Sequence, residues 1–415
     1  MRDIAWLDLL RDTQLVALVR EAMSNNLDLR EAQSRVREYR AQLGAARVSQ
    51  LPTISTTGTT SHNKVAFGPT VVGYDAVRVT GDLSWELDFW GKARKQVDAA
   101  AYDLAARDAE VRSTMLSLVG DIATAYLRLR ELDESVHISD QTLMSRRSTL
   151  DLARRRFQQG VTSELDVFQF EADLAESAAR VADFTRQRTE VENQLSQLLG
   201  RAPGSIPRGR ALDDVVQALI VPDSLPGELI ARRPDVVAAQ RALQASLSRV
   251  GVAAASRLPT ISVTGQYGTQ RPDFSRLFAR QNELYTTQLG VTIPLFPFIA
   301  LRDQQRAASA RAEQAQARYR QKVLAGLRES NDALAGVHLH RDQLAAQRTQ
   351  MRALERAFTL ADQRYRSGVS SYLEVLDAQR RLFTAQLSFV QAERQYLVAT
   401  VDLYKALGGG WDAGR

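Results

Sequence analysis

An alternating stretch lies between residues 77 and 89 of the chain. Apolar residues stand at its odd positions and polar or charged residues at its even ones. A period of two predicts a β-strand with two different faces. The apolar face carries Val77, Val79, Leu83, Trp85, Leu87 and Phe89, and the charged residues of the polar face are Arg78, Asp82, Glu86 and Asp88.

Most of the remaining chain has the spacing of long helices. From Met115 to Val136, apolar residues follow one another at intervals of 3 and 4, which predicts a coiled-coil seam. Gly160 and Gly368 are placed to end helices in C-terminal caps, and the Ser or Thr residues that follow can cap the next helix. We therefore predict two helical hairpins, with helices at 92–159 and 163–199, and at 300–366 and 370–407.

The chain is a tandem duplication. LPTIS occurs at 51–55 and again at 258–262, and FQQGVTSELDV from Phe157 is matched by YRSGVSSYLEV from Tyr365, an offset of 208. We expect a first structural repeat at 1–207 and a second at 208–415. Each repeat also contains one further helix and two strands. In the first repeat the helix is predicted at 14–50 and the strands at 51–61 and 76–89. In the second repeat the helix is predicted at 223–256 and the strands at 258–268 and 284–297. The intervening segments His62–Asp75 and Thr269–Glu283 contain Gly or Pro and are predicted to be loops.

The presence of four amphipathic strands favours a membrane barrel over a soluble sheet. A single alternating strand is more often part of a soluble sheet, but thirteen residues tilted in a barrel span roughly 30 Å, the thickness of a bilayer core. A four-stranded sheet in lipid would leave backbone groups unsatisfied at its edges, so other chains must close it. Three chains supply twelve strands, which suits a water-filled tube better than the eight strands of two chains.

Composition removes several classes of function. The formal net charge is +6, but cationic and anionic residues are interspersed, as on solvated helix faces rather than on a nucleic-acid surface. The chain has no cysteine and no apolar run of about 20 residues. His338 and His340 lack the spacing of a zinc helix, and there is no phosphate loop or nucleophile elbow. We expect no enzymatic activity, catalytic residue, metal or cofactor.

Several segments together resemble one family. They are NNLDLREA near Asn25, LPTIS, WELDFWGKAR from Trp85, ARRPDV from Ala231, and YRSGVSSYLEVLDAQRRLFTAQ from Tyr365, with LYKALGGGW near the end. In order and spacing they resemble the outer-membrane efflux channels of the TolC/OprM type over nearly the whole chain.

The resemblance implies a mainly α fold with a membrane β part. Four strands per chain, at 51–90 and 258–298, would form a trimeric 12-stranded β-barrel in the outer membrane of a Gram-negative bacterium. A long α-helical coiled-coil barrel would continue it into the periplasm, with an equatorial region at 201–222 and 408–415. The implied partners of this homotrimer are outer-membrane lipid, a periplasmic adaptor protein and an inner-membrane transporter of the resistance-nodulation-division class.

The resemblance also implies site residues. The match on LEVLDAQR assigns Leu373, Asp377 and Arg380 to a periplasmic gate, and their spacing places them on one helical face. From spacing alone, an i,i+3 surface ion pair between Asp377 and Arg380 is the competing interpretation. The hairpin tips are predicted to dock the adaptor, and the charged residues of the strand at 77–89 to line the barrel lumen. The tip residues are Gly160, Val161, Thr162, Gly368, Val369 and Ser370.

Other questions stay open at this point. A soluble coiled-coil scaffold or adaptor with a small β domain is the competing class of protein. The N-terminal segment lacks the layout of a signal peptide, so the protein is either cytosolic or a mature chain whose leader has been removed. Lipoprotein members of the family carry an acylated cysteine at the mature N-terminus, and this sequence has no cysteine. Either the segment with that cysteine has been removed or replaced, or the protein lacks the lipid anchor. The exported substrate is not specified: drugs, metal ions and other compounds are all alternatives.

Overall fold

The structure is a computed structural model that describes residues 11–218 and 231–409. The predicted helix residues 223–230 and the ends of both predicted equatorial segments, 219–222 and 410–415, lie outside the described residues. The chain divides into two compact units. The helical unit comprises Met1–Gln33, Glu110–Val236 and Val323–Arg415, and the sheet unit comprises Ser34–Ala109 and Val237–Lys322.

The elements follow the same order in both repeats. The first repeat contains α1 (Thr13–Asn25), α2 (Leu27–Val48), β1 (Thr53–Phe67), β2 (Thr70–Leu87), α3 (Lys92–Gln158) and α4 (Glu164–Leu198). The second contains α5 (Leu212–Ala218), α6 (Pro234–Ala255), β3 (Thr260–Arg271), β4 (Glu283–Thr292), α7 (Phe298–Arg366) and α8 (Tyr372–Ala406). The four strands form one antiparallel sheet in the order β1-β2-β3-β4.

The predicted strands are displaced at their ends. The expected loop at His62–Asp75 is wrong, because β1 and β2 pair with each other until Phe67 meets Thr70. Only Gly68 and Pro69 separate them, and Gly68 adopts a φ of +58°, a conformation suited to glycine. In the second repeat β3 continues to Arg271, while β4 ends at Thr292, five residues before the predicted end. Pro294 and Pro297 follow, and proline cannot donate to a sheet ladder.

Asn26 divides the predicted helix 14–50 into α1 and α2. Its backbone is extended, with φ −60° and ψ 131°. Its side-chain oxygen accepts from the N–H of Leu29 at 2.9 Å, and its amide nitrogen donates to the carbonyl of Leu198 at 2.9 Å. Asn26 therefore caps α2 and ties it to the end of α4. A helical pattern that resumes after one residue conceals such a break.

The helical unit is held by a continuous apolar core. Leu15 and Val19 of α1 belong to one buried cluster with residues of α3, α4 and α8. The predicted seam of α3 is buried at Leu118, Ile122, Ala125, Leu129, Leu132 and Val136. Ser139, a polar residue three positions after Val136, is also buried, and its hydroxyl donates to the carbonyl of Ser135 at 2.7 Å. The long helices thus derive their stability from side-to-side packing more than from propensity.

Hydrogen bonds connect the loop after α4 to the start of α1. The N–H groups of Gln14 and Leu15 donate to the carboxylate of Asp12, which caps α1. The same carboxylate accepts from the N–H of Arg210 and from the hydroxyl of Tyr126 on α3. Asp12 is 3% exposed, so these donors replace water around a buried charge.

Within residues 11–218 and 231–409, no helix is both long enough and apolar enough to cross a membrane.

Candidate functional site

The register of the sheet gathers polar residues onto one face. On β2 the even positions from Arg78 to Glu86 pair with Gln270, Gly268, Gln266, Thr264 and Ser262 of β3. The first four of these positions, from Arg78 to Ser84, pair on the other side with Thr59, Thr57, Ser55 and Thr53 of β1. On β4, Thr286 and Gln288 oppose Gln266 and Thr264. Because directly paired residues of antiparallel strands point to the same side, this face is polar across all four strands.

Hydrogen bonds cross the polar face between β2 and β3. The Nε of Arg78 donates to Oε1 of Gln270 at 2.9 Å, and the amide of Gln266 donates to Oδ1 of Asp82 at 2.7 Å. Glu86 accepts from Nζ of Lys92, just beyond the strand, at 3.1 Å. Each charged side chain is therefore held in place while remaining accessible to water.

The opposite face of the sheet is apolar and exposed. Its members include Ile54, Trp85, Tyr267, Tyr285, Leu289 and Val291, all of which are exposed in the chain. Ile261 opposes Val291, and Val263 opposes Leu289, so the apolar positions also pair across strands. A sheet with one aqueous and one apolar surface fits a membrane boundary with water on one side.

Asp88 does not extend the polar face of β2 as predicted. The strand ends at Leu87 instead of Phe89, and the carboxylate of Asp88 accepts from the N–H groups of Ala93 and Arg94 at 3.0 and 2.9 Å. The carboxylate of Asp88 therefore binds N–H groups in the first turn of α3, which have no acceptor within the helix. Alternation alone could not reveal this, because the pattern continues past the end of the strand.

The two hairpin tips are built alike. Gly160 and Gly368 have φ values of +70° and +73°. At the first tip the N–H of Val161 donates to the carbonyl of Arg156 at 2.9 Å, and at the second the N–H of Val369 donates to that of Arg364 at 2.9 Å. This is the Schellman pattern of helix ends. Both valines are exposed.

The caps that follow the tips differ. Ser163 accepts from the N–H of Asp166, whose side chain accepts in return from the N–H of Ser163, forming a capping box. The hydroxyl of Thr162 also donates to Asp166, at 2.5 Å. Ser371, the cap of α8, makes no such side-chain bond, and the hydroxyl oxygen of Ser370 is buried without a partner among the described residues. The first tip is the more firmly fixed of the two.

The three predicted gate residues lie on one exposed side of α8. Leu373 is 64% exposed, and Asp377 and Arg380 are exposed as well. The opposite side of α8 is buried, and the amide of Gln379 there donates to the hydroxyl of Ser145 on α3 at 3.3 Å. The predicted gate residues therefore lie on the side of α8 that is opposite its buried contact with α3.

The competing ion pair between Asp377 and Arg380 does not form. Asp377 instead pairs with Nε of Arg381 at 2.8 Å. Arg380 is exposed and has no ion pair within 4 Å in the described part of the chain. Burial raises the pKa of Asp173 on α4, and the positive charges of Arg146 and Arg380 oppose that rise.

A buried charged cluster escaped the sequence analysis. Glu393 on α8 is 3% exposed, with Arg348 of α7 3.9 Å away. Arg348 also contacts Asp213 of α5 at 2.5 Å. Burial, with the nearby negative charge of Asp213, raises the pKa of Glu393 to about 8. The three residues lie far apart in the sequence on separate helices, so no local pattern could have indicated them.

The comparisons with known proteins agree with this geometry. The family model described as outer membrane efflux protein matches residues 18–201 and 225–409. The chain is 31% identical over 412 residues to the toluene efflux pump outer membrane protein TtgC of Pseudomonas putida, covering 98% of this chain and 85% of that protein. It is 32% identical to the outer membrane protein OprJ of Pseudomonas aeruginosa, covering 99% and 87%.

Solved structures are similar as well. The outer-membrane channel OprN superposes with a TM-score of 0.90 at 29% identity, over 98% of this chain and 92% of that one. The open state of the MtrE outer membrane channel of Neisseria gonorrhoeae gives a TM-score of 0.86 at 28% identity, over 96% and 90%.

A sheet with one polar and one apolar face, joined to two long helical hairpins, defines a subunit of an outer-membrane channel. The chain belongs to the outer membrane efflux protein family. It is the outer-membrane component of an efflux pump in a Gram-negative bacterium, and it works together with the other components of that pump.

Proposed function

We propose that three copies of this chain form a passive exit duct with a 12-stranded barrel. The observation that carries the proposal is the strand register, which places polar residues on one face and apolar residues on the other over all four strands. In the described sheet, β1 and β4 are the edge strands, and each has one unpaired side. Edges in lipid need partners, and β4 of one copy can pair with β1 of the next. Arg78, Asp82 and Glu86 would then line the lumen, with Asp88 at its periplasmic rim.

The duct would open at the end of the helical hairpins. Leu373, Asp377 and Arg380 of three copies would form an apolar constriction with a charged collar. The exposure of all three, and the lack of an ion pair at Arg380 within the described residues, support this assignment. Gly160, Val161 and Thr162, with Gly368, Val369 and Ser370, would dock a periplasmic adaptor. That adaptor and an inner-membrane transporter of the resistance-nodulation-division class would open the gate.

The relatives support a class of cargo. TtgC is named for toluene efflux, and a further relative from Pseudomonas putida, 31% identical, is named an antibiotic efflux pump outer membrane protein. We therefore propose that this duct exports drugs or other small apolar compounds that its transporter selects.

Conductance and mass measurements together test the proposal. Detergent-purified protein should have the mass of three chains and should give discrete conductance steps in a planar bilayer. A soluble coiled-coil scaffold would need no detergent and would give no steps. A stable monomer or dimer that conducts would disprove the 12-stranded closure while leaving the channel itself intact.

A further inference from the structure

The passage from β4 to α7 exposes a large apolar surface. Phe296 is 99% exposed, and Leu295 and Ile299 are also exposed. These residues directly follow the last membrane strand, where aromatic side chains commonly mark the boundary between lipid and water. If the proposed barrel forms, the first turn of α7 begins at the level of the lipid headgroups.

Three arginines line a cleft directly beyond this surface. The cleft has a volume of about 410 Å³ and is formed by the end of α6 and the first four turns of α7. Arg257, Arg302 and Arg306 line it, together with Gln305 and, at its far end, Glu313. Arg302 lies four residues after Phe298, about 6 Å along the helix. This is the depth at which a lipid phosphate is found next to the hydrocarbon boundary.

The arginines are poorly neutralised by the protein. Arg257 donates from Nη1 to the neutral Oε1 of Gln305 at 2.6 Å, and its guanidinium lies 5.0 Å from the ring centre of Phe298. The Nε of Arg257 is buried and has no acceptor among the described residues. Within the same described part, Arg302 has no ion pair, and only Arg306 has one, an exposed contact with Asp303 at 3.2 Å. The lining of the cleft therefore carries three cations against the single carboxylate of Glu313.

The duplication supplies an internal comparison. By the offset of 208, Arg302 corresponds to Arg94, which is paired with Asp88 at 3.3 Å at the junction of β2 and α3. Phe296 stands where the first repeat has Asp88, and Pro294 where it has Glu86. The second repeat therefore has the same cation, with apolar residues at both positions that are acidic in the first repeat. Arg94 has an ion pair at its junction, whereas Arg302 has none in the described part of the chain.

We propose that the cleft lined by Arg257, Arg302 and Arg306 binds the phosphate of an anionic phospholipid of the outer membrane. Guanidinium groups bind phosphate oxygens through paired hydrogen bonds, and Phe296 and Ile299 would contact the acyl chains. The exposed apolar residues beside the arginines favour a lipid over free phosphate, which has no apolar part. The lipid would hold the second junction at a fixed depth in the bilayer.

Lipid binding to the purified full chain tests the proposal. The probe is phosphatidylglycerol, counted on the protein by native mass spectrometry against phosphatidylcholine with the same acyl chains. Arg302→Gln with Arg306→Gln should weaken phosphatidylglycerol binding about thirtyfold, the effect of two cations at an anionic membrane surface. The matched control, Arg318→Gln with Arg320→Gln, removes two exposed arginines farther along α7 and should leave binding unchanged.

Three results would overturn the proposal. They are unchanged binding in the cleft variant, an equal loss in the control variant, and displacement of the lipid by millimolar inorganic phosphate, which would indicate a site for a soluble anion. Arg302→Gln alone is the second variant, since its exposed side chain has no ion pair in the described part of the chain whose loss could unfold the protein. It should weaken binding about fivefold, with the thermal transition unchanged.

Discussion

The hydroxyl of Tyr126 donates to Oδ2 of Asp12 at 3.0 Å, joining two residues that are 114 positions apart. The same hydroxyl oxygen accepts from the N–H of Gly209 at 2.7 Å. Tyr126 therefore connects the start of α1 with α3 and with the loop after α4. Burial and the adjacent Asp12 carboxylate raise the pKa of Tyr126, so its hydroxyl remains a donor over the physiological range.

Tyr126→Phe should destabilise the protein by about 1–3 kcal/mol, because the buried carboxylate of Asp12 loses a donor that water cannot replace. Chemical denaturation of the detergent-solubilised protein measures the change. Tyr102→Phe is the matched control, since Tyr102 makes no hydrogen bond through its hydroxyl in the described structure. Equal losses in the two variants would show that the Asp12 contact contributes nothing.

Gly209→Ala should also be destabilising, for a steric reason. A β-carbon at this position would overlap the carboxylate of Asp12, so the loop or the start of α1 must move. Gly44→Ala in the middle of α2 has no atom within 4 Å of its added carbon and should stabilise by about 0.5–1 kcal/mol. Thermal unfolding should thus shift in opposite directions for the two variants. A shift in the same direction would contradict the close approach.

Glu393→Gln should change how stability depends on pH. The pKa of Glu393 rises from its ordinary value near 4.5 to about 8 in the folded chain. The folded state therefore retains a proton that the unfolded state releases, and stability falls as the pH rises from about 4.5 to 8. Glutamine cannot ionise, so the variant should lose less stability over this window than the parent protein.

Thermal midpoints between pH 5 and pH 9 measure the difference. Glu355→Gln, at an exposed position on α7, is the control and should follow the parent curve. Parallel curves for the parent and Glu393→Gln would show that Glu393 is already ionised at neutral pH.

Asp377→Ala with Arg380→Ala should raise the single-channel conductance of the closed state, because it removes the proposed charged collar. Two controls separate this effect from the loss of a surface ion pair. Arg381→Ala breaks the observed pair with Asp377 but leaves Arg380 in place. Asp362→Ala with Arg366→Ala removes an equivalent pair, 2.8 Å apart, on α7. Unaltered conductance in the gate variant, or an equal rise in the controls, would exclude the assignment.

Single cysteines at Val161 and Val369 should crosslink to the adaptor in cells. The chain has no cysteine of its own, so each introduced thiol is unique. Met144→Cys is exposed on α3 about 25 Å from the first tip and should crosslink much less. Comparable crosslinking at all three positions would argue against docking at the tips.

The sequence predicted those parts of the fold that depend on neighbouring residues, such as strand alternation and glycine at helix ends. The alternation at 77–89 located β2, and Gly160 and Gly368 located both hairpin tips to within a few residues. The break at Asn26 depended on a side-chain bond to Leu198, far away in the sequence. Asp88 carried the correct alternation but caps a helix. A sequence pattern indicates the secondary structure that a residue favours. The hydrogen-bond partner of its side chain depends on which segments pack together in the folded chain.

The unpaired edges of β1 and β4 also bear on how the channel is made. β1 has 15 residues and β4 has 10, so a seam between copies joins a long strand to a short one. In the proposed trimer no chain can satisfy its own sheet, and a single copy entering lipid would carry two open edges. Membrane insertion would then depend on encounters between copies, and the abundance of the chain would set the rate at which finished channels appear.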